Sequence, residues 1–278
     1  MKAILFGATG LLGNALLREW RGDEVLGFGK SDIDICDGDR VQKMVNETRP
    51  DWIVLSAAYT DVDGCESNAE RALAVNRDGA VHVARAAKQA GAKLLFLSTD
   101  YVFDGTGTTP YEVGDARNPQ SVYGRSKAEA EVRLLETIPE CCIVRTAWLF
   151  GKGGKCFPDT ILKLAATRPA LDVVDDQRGS PTYTVDLARA IIELCRKDAS
   201  GIVQVTNAGN CSWFEFAREI VGQSGLKSVV RPVSTQQTPR PARRPAYSVM
   251  SDVSLERFGI RMPAWQDALR RYLAERQS

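Results

Sequence analysis

Residues 2–20 read KAILFGATGLLGNALLREW, which is an apolar run, a glycine-rich turn and a helical pattern. Gly7 permits a tight turn after the strand, and Gly10 lets a pyrophosphate approach the backbone where the helix begins. Gly13 lets helix and strand pack closely. The spacing is G-x-x-G-x-x-G rather than the commoner G-x-G-x-x-G. A purely structural turn is the alternative, but the position between first strand and first helix predicts a nucleotide-binding turn.

Strand and helix patterns alternate from this turn to about residue 150. Apolar runs predict strands at 24–28, 52–57, 93–97 and 141–147. Helical periodicity predicts helices at 38–48, 69–91 and 121–135. This alternation predicts an α/β fold with a Rossmann-like doubly wound parallel sheet.

The second half of the chain is richer in proline, arginine and loops. Helices are predicted at 159–167, 185–196, 212–224 and 265–276, and a strand at 202–206 is expected to rejoin the main sheet. We therefore predict an NAD(P)-binding Rossmann domain over residues 1–150, which the segment 183–207 rejoins. Residues 151–278 are predicted to form a smaller, interwoven C-terminal substrate-binding domain.

The end of the second predicted strand bears on the choice of cofactor. An acidic residue there would hold a ribose 2′-hydroxyl, whereas this chain has Gly29-Lys30-Ser31. A lysine and a hydroxyl suit a 2′-phosphate, which favours NADPH over NADH; a solvent-facing lysine is the alternative. Asp34 and Ile35 are candidates to flank an adenine ring. The small residues of Ala57-Ala58-Tyr59-Thr60 leave room for a nicotinamide ribose.

Tyr123 and Lys127 are spaced so that a helix places both side chains on one face. A phenol has a pKa of about 10, and a nearby ammonium group favours the phenolate and lowers that value. The pair is therefore expected to act as a general acid/base. Thr99 ends the preceding predicted strand. Both features reach the carboxyl edge of a parallel sheet, where the glycine turn also lies.

Composition excludes several other classes of protein. The 278 residues carry a formal net charge of +1, which favours neither nucleic acid nor an anionic membrane as a partner. No apolar run reaches the roughly 18 residues of a membrane span, and the N-terminus lacks a signal-peptide layout, so we expect a cytoplasmic protein. Seven cysteines without a C-x-x-C pair suggest reduced, structural thiols. A single histidine argues against a zinc site or a serine-hydrolase triad.

Several longer motifs give the chain a family resemblance. They are A-A-Y-T-x-V-D-x-x-E at 57–66, S-T-D-Y-V-F-D-G at 98–105, R-T-A-W-L-F-G at 145–151, D-Q-x-G-x-P-T at 176–182 and R-R-P-A-Y-S at 243–248. With the glycine turn and Y-x-x-x-K, the chain resembles the extended short-chain dehydrogenase/reductases and, more narrowly, the dTDP-4-dehydrorhamnose reductase family. The resemblance implies NADPH- or NADH-dependent reduction of the C4 ketone of dTDP-4-dehydro-L-rhamnose to dTDP-L-rhamnose.

The resemblance also assigns residues. The implied catalytic residues are Thr99, Tyr123 and Lys127. The implied substrate contacts are Thr60, Thr99, Asp100 and Trp148, the last as an apolar wall or, alternatively, a core residue. The predicted cofactor site comprises Gly7, Gly10, Leu11, Leu12, Gly13, Lys30, Asp34, Ile35, Ala57, Ala58, Tyr59, Thr60, Tyr123 and Lys127. Two or three among Lys152, Lys155, Arg178, Arg243 and Arg244 are expected to bind the substrate diphosphate, because cationic donors suit phosphate oxygens.

Further expectations come from positions where this chain differs from related enzymes and from the other functions that its motifs leave open. Some members of the family bind Mg²⁺ and dimerise through a glutamate where this chain has Ala15, so we predict no metal site and a monomer or weak homodimer. A sugar 4,6-dehydratase needs a second carboxylate after Asp100, where this chain has Tyr101. A nucleotide-sugar 4-epimerase, another 4-keto-sugar reductase, and a non-catalytic regulatory subunit of the methionine adenosyltransferase type remain the alternatives.

Overall fold

The computed structural model of the chain describes residues 1–277. Its first half alternates strands and helices as predicted: β1 (Lys2–Phe6), α1 (Leu11–Glu19), β2 (Glu24–Phe28), α2 (Gly38–Thr48), β3 (Trp52–Leu55), α3 (Val62–Ser67), α4 (Ala69–Leu73), a π-helical segment (Ala74–Asp78), α5 (Gly79–Ala90), β4 (Lys93–Thr99), a 3-10 turn (Asp100–Val102), α6 (Val122–Thr137) and β5 (Cys142–Thr146).

The second half adds short strands between helices. They are β6 (Leu149–Phe150), α7 (Phe157–Ala165), β7 (Ala170–Val174), β8 (Arg178–Gly179), β9 (Thr182–Tyr183), α8 (Thr184–Arg196), β10 (Gly201–Gln204), β11 (Cys211–Ser212), α9 (Trp213–Ser224), β12 (Val229–Val233), a 3-10 turn (Thr235–Gln237), α10 (Val253–Glu256) and α11 (Trp265–Gln277). The predicted helices are present. Helix α7 begins earlier than predicted because Pro158 suits the first turn of a helix.

The central sheet has six parallel strands in the order β10-β5-β4-β3-β1-β2. This confirms the predicted doubly wound α/β fold. Apolar clusters cover both faces, and successive strand residues alternate between them: Ile143 of β5 packs in one cluster and Val144 in the other. The strand predicted at 202–206 is β10, which pairs with β5. The division of the chain into domains at residue 150 stays a prediction.

The helix predicted at 69–91 is interrupted by the π-helical segment. Asn76 lies in this segment, and its side chain accepts a hydrogen bond from the Tyr59 N–H (2.7 Å) and donates to the Tyr59 carbonyl (3.1 Å) and to Ser126 Oγ (2.9 Å). The π-helical segment thus connects Tyr59, in the loop after β3, to Ser126 on α6. Such π-bulges are frequent at functional sites, and periodicity alone does not reveal them.

The C-terminal part has its own apolar cluster, built from Phe150, Tyr183, Phe216 and Tyr272 with their neighbours. Three two-stranded sheets, β6 with β9, β7 with β12 and β8 with β11, surround it. The two-residue strands β6, β8, β9 and β11 are too short for periodicity to reveal, whereas the five-residue strands β7 and β12 were not predicted. None of the helices in the described part of the chain is long and apolar enough to cross a bilayer.

Candidate functional site

The site lies at the carboxyl edge of the central sheet. Strands β1, β3 and β4 end there, and they deliver the glycine turn, the segment 57–60 and the segment 98–100 to one place. Helix α1 starts from Gly10 with no capping side chain and no acidic residue in its first turn. Its N-terminus therefore presents backbone N–H groups and positive dipole to the cleft, which suits an anion.

The glycines of the turn are required by close backbone contacts. A Cβ on Gly13 would lie 2.1 Å from the Gly7 carbonyl oxygen, and one on Gly7 would lie 2.5 Å from the Ala57 nitrogen. Gly7 also has a φ of +91°, in the left-handed region that favours glycine. The turn is thus a compact backbone cradle, and its shape and exposed N–H groups fit a dinucleotide pyrophosphate.

A cavity of about 230 Å³ runs from this turn past the ends of β2 and β3. Most residues predicted to bind the cofactor line it: Gly7, Gly10, Lys30, Asp34, Ile35, Ala57, Ala58 and Thr60. The Lys30 ammonium lies at the rim, 69% exposed and 3.8 Å from Asp34. Tyr59 contributes its backbone to the Asn76 hydrogen bonds, while its ring lies under Arg71 at 4.8 Å. Leu11 instead packs against the C-terminal cluster.

A second cavity, of about 280 Å³, adjoins the first through Ser56, Ala58 and Thr60. It is lined by every residue predicted to be catalytic or to contact the sugar, namely Thr60, Thr99, Asp100, Tyr123, Lys127 and Trp148. Leu12, predicted to bind the cofactor, also lines it. Two of its polar lining atoms, Asp100 Oδ2 and Thr146 Oγ1, are buried and make no close hydrogen bond in residues 1–277, although the Ser248 hydroxyl is near enough to the Asp100 carboxyl to lower its pKa. Unpaired buried acceptors and donors indicate a place for a polar ligand.

Helix α6 carries the tyrosine and lysine into this cavity. Ser121 caps its N-terminus by accepting a hydrogen bond from the Gly124 N–H (3.1 Å). Gly124 lets the helix approach the preceding 3-10 turn, because a Cβ there would lie 2.2 Å from the Tyr101 carbonyl oxygen. The Tyr101 and Tyr123 rings meet edge to face with centroids 5.7 Å apart. The Tyr123 ring is thereby fixed beside the end of β4.

The polar groups around Tyr123 act on its pKa in opposite directions. Burial raises the pKa of Tyr123, a hydrogen bond with Thr99 lowers it, and the charge of Asp100 raises it. The Thr99 hydroxyl donates to Asp100 Oδ1 (3.0 Å) and accepts from the Tyr101 N–H (3.2 Å). Burial also raises the pKa of Asp100 to about 6. The cavity thus holds an acid that titrates within a unit or so of neutrality.

The raised pKa of Tyr123 is opposite to the direction that the Tyr/Lys spacing predicts, and that prediction is wrong for the protein groups taken alone. Lys127 is only 2% exposed, and its ammonium lies 3.9 Å from the centre of the Phe96 ring. Burial lowers the pKa of Lys127 to about 7, although the charge of Glu131 opposes the shift. Desolvation, which sequence spacing does not report, therefore dominates both groups.

Trp148 forms one wall of the second cavity, and its partner was not predicted. Its ring stacks on Trp213 with centroids 3.5 Å apart and planes at 6°. Gly179 makes room for it, since a Cβ there would lie 2.5 Å from the indole. The backbone of Trp148 has a φ of +47°, which is rare for a bulky residue and is typical of functional sites. The pairing joins residues 65 positions apart, so no local signal marks Trp213.

The five basic residues proposed for a diphosphate fall in different places. Arg243 and Arg244 line a third cavity, of about 760 Å³, beside the loop 104–107. Arg244 pairs with Asp63 (3.0 Å) and lies over the Tyr101 ring at 5.9 Å. Arg178 is committed to Asn210 and Glu215. Lys152 and Lys155 belong to a loop whose Gly153 and Gly154 approach α1.

Metal ligands and disulfides are not part of this arrangement. Residues 1–277 contain no group of three or more His, Cys, Asp or Glu side chains that could hold a metal ion. Ala15 is 1% exposed and packs in the apolar cluster on one face of the central sheet. The seven cysteines are free thiols, and six of them are buried.

Comparisons with known proteins agree over the whole chain. A family model described as RmlD substrate binding domain matches residues 1–278. The spore coat polysaccharide biosynthesis protein SpsK of Bacillus subtilis is 43% identical over 100% of this chain and 98% of its own length. A dTDP-4-dehydrorhamnose reductase of Mycobacterium tuberculosis is 41% identical over 98% of this chain and 92% of its own length. The Bacillus anthracis dTDP-4-dehydrorhamnose reductase, solved in complex with NADP, superposes with a TM-score of 0.96 at 40% identity, covering 99% of this chain and 100% of that one.

Proposed function

This chain belongs to the RmlD substrate-binding-domain family, and we propose that it reduces the C4 ketone of dTDP-4-dehydro-L-rhamnose to dTDP-L-rhamnose with NAD(P)H. The observation that carries the proposal is the convergence of Thr99, Tyr123 and Lys127 on one cavity that adjoins the glycine turn. A nicotinamide cofactor, when bound, supplies the hydride that the ketone carbon accepts. The residues of this chain supply binding, orientation and the proton.

The proton comes from Tyr123, which donates to the alkoxide that develops at the substrate C4 oxygen. The raised pKa of Tyr123 keeps the phenol protonated before the reaction. Thr99 gives a second hydrogen bond to the same oxygen after its hydroxyl rotates away from Asp100. Lys127 lies one helical turn from Tyr123, favours the phenolate that remains, and would hold the ribose of a bound nicotinamide cofactor.

Substrate recognition follows from the polar and aromatic walls. Asp100 Oδ2 accepts a hydrogen bond from a sugar hydroxyl, which gives this buried atom a partner. Trp148, stacked on Trp213, forms the apolar wall against the sugar. Arg243 and Arg244 bind the diphosphate, since both line the third cavity and Arg244 lies over the ring of Tyr101, which lines the second cavity.

The proposal also covers the preferred cofactor, the cellular location and the oligomeric state of the protein. Lys30 at the rim of the first cavity favours NADPH, because its ammonium suits a 2′-phosphate. Free, mostly buried thiols support a reducing, cytoplasmic location. We propose a monomer or weak homodimer.

The test is oxidation of NADPH and of NADH measured with a panel of 4-keto nucleotide sugars. We expect turnover with dTDP-4-dehydro-L-rhamnose. A panel in which another 4-keto sugar alone is reduced would instead favour a different keto-sugar reductase. Bound NAD without net NADPH oxidation would indicate an epimerase. A copurified partner without turnover would indicate a regulatory subunit. Tyr123→Phe is expected to bind NADPH normally and to lose most turnover; a wild-type rate would exclude Tyr123 as the acid.

A further inference from the structure

Glu131 is a fully buried carboxylate on the helix that carries the catalytic pair. It follows Lys127 by one helical turn and Tyr123 by two, so the three side chains share one face of α6. The Glu131 carboxylate accepts hydrogen bonds from Ser98 Oγ (2.5 Å) and from Arg145 Nε and Nη2 (3.0 and 2.7 Å). A second arginine, Arg117, lies 3.4 Å away.

The ion pair is fixed from several directions. Arg145 is itself fully buried, lies 5.0 Å from the centre of the Phe103 ring, and donates to the Val113 carbonyl (3.3 Å). Ser98 and Arg145 are directly opposite each other on β4 and β5. A buried ion pair of this kind is seldom more stabilising than apolar side chains of the same volume, so its presence beside a catalytic helix calls for another role.

Lys127 is the neighbour on which the Glu131 charge acts. The Lys127 ammonium is surrounded by protein and packs on Phe96, and such burial disfavours its charged form. Glu131 is the anion whose charge opposes this loss. The other titratable or charged groups on the elements packed against α6 are Asp63, Cys65 and Glu66 on α3, Glu70 and Arg71 on α4, Arg77 and Asp78 on the π-helical segment, His82, Arg85 and Lys88 on α5, Lys93 on β4, and Asp100 and Tyr101 on the 3-10 turn. Arg117 on the loop before α6 and Arg145 on β5 pair with Glu131 itself.

We propose that Glu131, held in place by Ser98 and Arg145, is the positioning residue that keeps Lys127 protonated beside Tyr123. This inference rests on the proposed function, because it assigns Glu131 a role in the same reaction. Within residues 1–277, Glu131 pairs with Ser98, Arg145 and Arg117, and it acts on Tyr123 through the charge of Lys127. The ammonium form matters because only a cation favours the Tyr123 phenolate.

The direct test is an NMR titration of the ligand-free protein with ¹³C-labelled lysine. The Lys127 signal is assigned by its absence in Lys127→Met. Removing a unit negative charge one turn away in a partly screened interior shifts the Lys127 midpoint by about one pH unit to lower pH in Glu131→Gln. Glu129→Gln is the matched control, because Glu129 lies on the same helix but pairs with Arg77 (2.9 Å). A midpoint that is the same in wild type and Glu131→Gln overturns the proposal.

Turnover gives the second readout. The decline in kcat at high pH, as Lys127 loses its proton, is expected to move about one pH unit lower in Glu131→Gln, while Glu129→Gln keeps the wild-type profile. Glu131→Asp, which retains the charge, is expected to restore most of the profile. A loss of activity that is equal at every pH would indicate a purely structural role and would overturn the proposal.

Misfolding of Glu131→Gln and failure of the proposed function are each distinguished from failure of this proposal. If Glu131→Gln does not fold because Arg145 is left unpaired, the double variant Glu131→Gln/Arg145→Met is compared with Arg145→Met, so that only the Glu131 charge differs between the two. The Lys127 midpoint must be lower in the double variant than in Arg145→Met, and equal midpoints in these two variants also overturn the proposal. The proposed function fails differently, by absence of turnover with every keto sugar in the wild type, and the NMR titration does not depend on turnover.

Discussion

Substitution of Gly13 by alanine should disrupt the cofactor turn through a backbone collision. The new Cβ would lie 2.1 Å from the Gly7 carbonyl oxygen and 2.7 Å from the backbone of Ala8, so the turn must open by about 1 Å to reach ordinary contact. The same carbonyl accepts the Gly10 N–H (3.0 Å). Overpacking of about 2 kcal/mol and the strained hydrogen bond, about 1 kcal/mol, together cost about 3 kcal/mol.

This cost has two measurable consequences. At about 2.1 cal/mol/K per residue, 278 residues lose about 5 °C in Tm for 3 kcal/mol. The displaced N–H groups should also weaken NADPH binding at least tenfold, measured by fluorescence titration. Gly10→Ala is the informative comparison: its Cβ meets only the Gly7 oxygen, at 3.2 Å, so we expect a Tm within about 2 °C of wild type but weaker NADPH binding.

Gly114→Ala is the control, because a Cβ there has nothing within 4 Å and the backbone needs no left-handed φ. It should leave both the Tm and the NADPH affinity unchanged. If Gly13→Ala melts and binds NADPH like the wild type, then the turn tolerates a side chain and the pyrophosphate does not lie there.

Three further predictions concern the second cavity and its surroundings. Burial raises the pKa of Asp100 from 3.8 to about 6, so ionisation costs stability that is lost as pH rises through this window and stays lost above it. Asp100→Asn should therefore gain up to about 3 kcal/mol in urea denaturation at pH 7.5 but only about 0.5 kcal/mol at pH 4, and equal gains at both would contradict this. Trp213→Leu removes the stack on Trp148, worth about 1 kcal/mol, so the KM for the keto sugar should rise roughly fivefold with little change in kcat. Trp213→Phe should restore most of the wild-type KM. A changed kcat with an unchanged KM would exclude a role of the stack in binding the sugar. Asp63→Asn loses the ion pair that fixes Arg244, so the KM for the keto sugar should rise roughly fivefold while the NADPH affinity stays at the wild-type value. Weakened NADPH binding would show that Asp63 serves the cofactor instead.

Local patterns predicted the features that depend on neighbouring residues. The glycine spacing of residues 7–13, the apolar strands and the four-residue spacing of Tyr123 and Lys127 each act within one element, and the carboxyl-edge rule for parallel sheets then brings those elements together. The six-stranded sheet and the gathering of Thr99, Tyr123 and Lys127 in one cavity therefore follow from sequence reasoning.

Only the tertiary structure decided the groups that act on those residues. Glu131 on α6 meets Arg145 on β5, Trp148 before β6 meets Trp213 on α9, and Asp63 on α3 meets Arg244 in a loop. Each pair joins two different elements, so the spacing within one element carries no signal for it. The direction of the Tyr123 pKa was likewise decided by burial, because the free energy of a charge depends on every atom that replaces water around it. Sequence determined which chemical groups reach the site, and packing determined their charge.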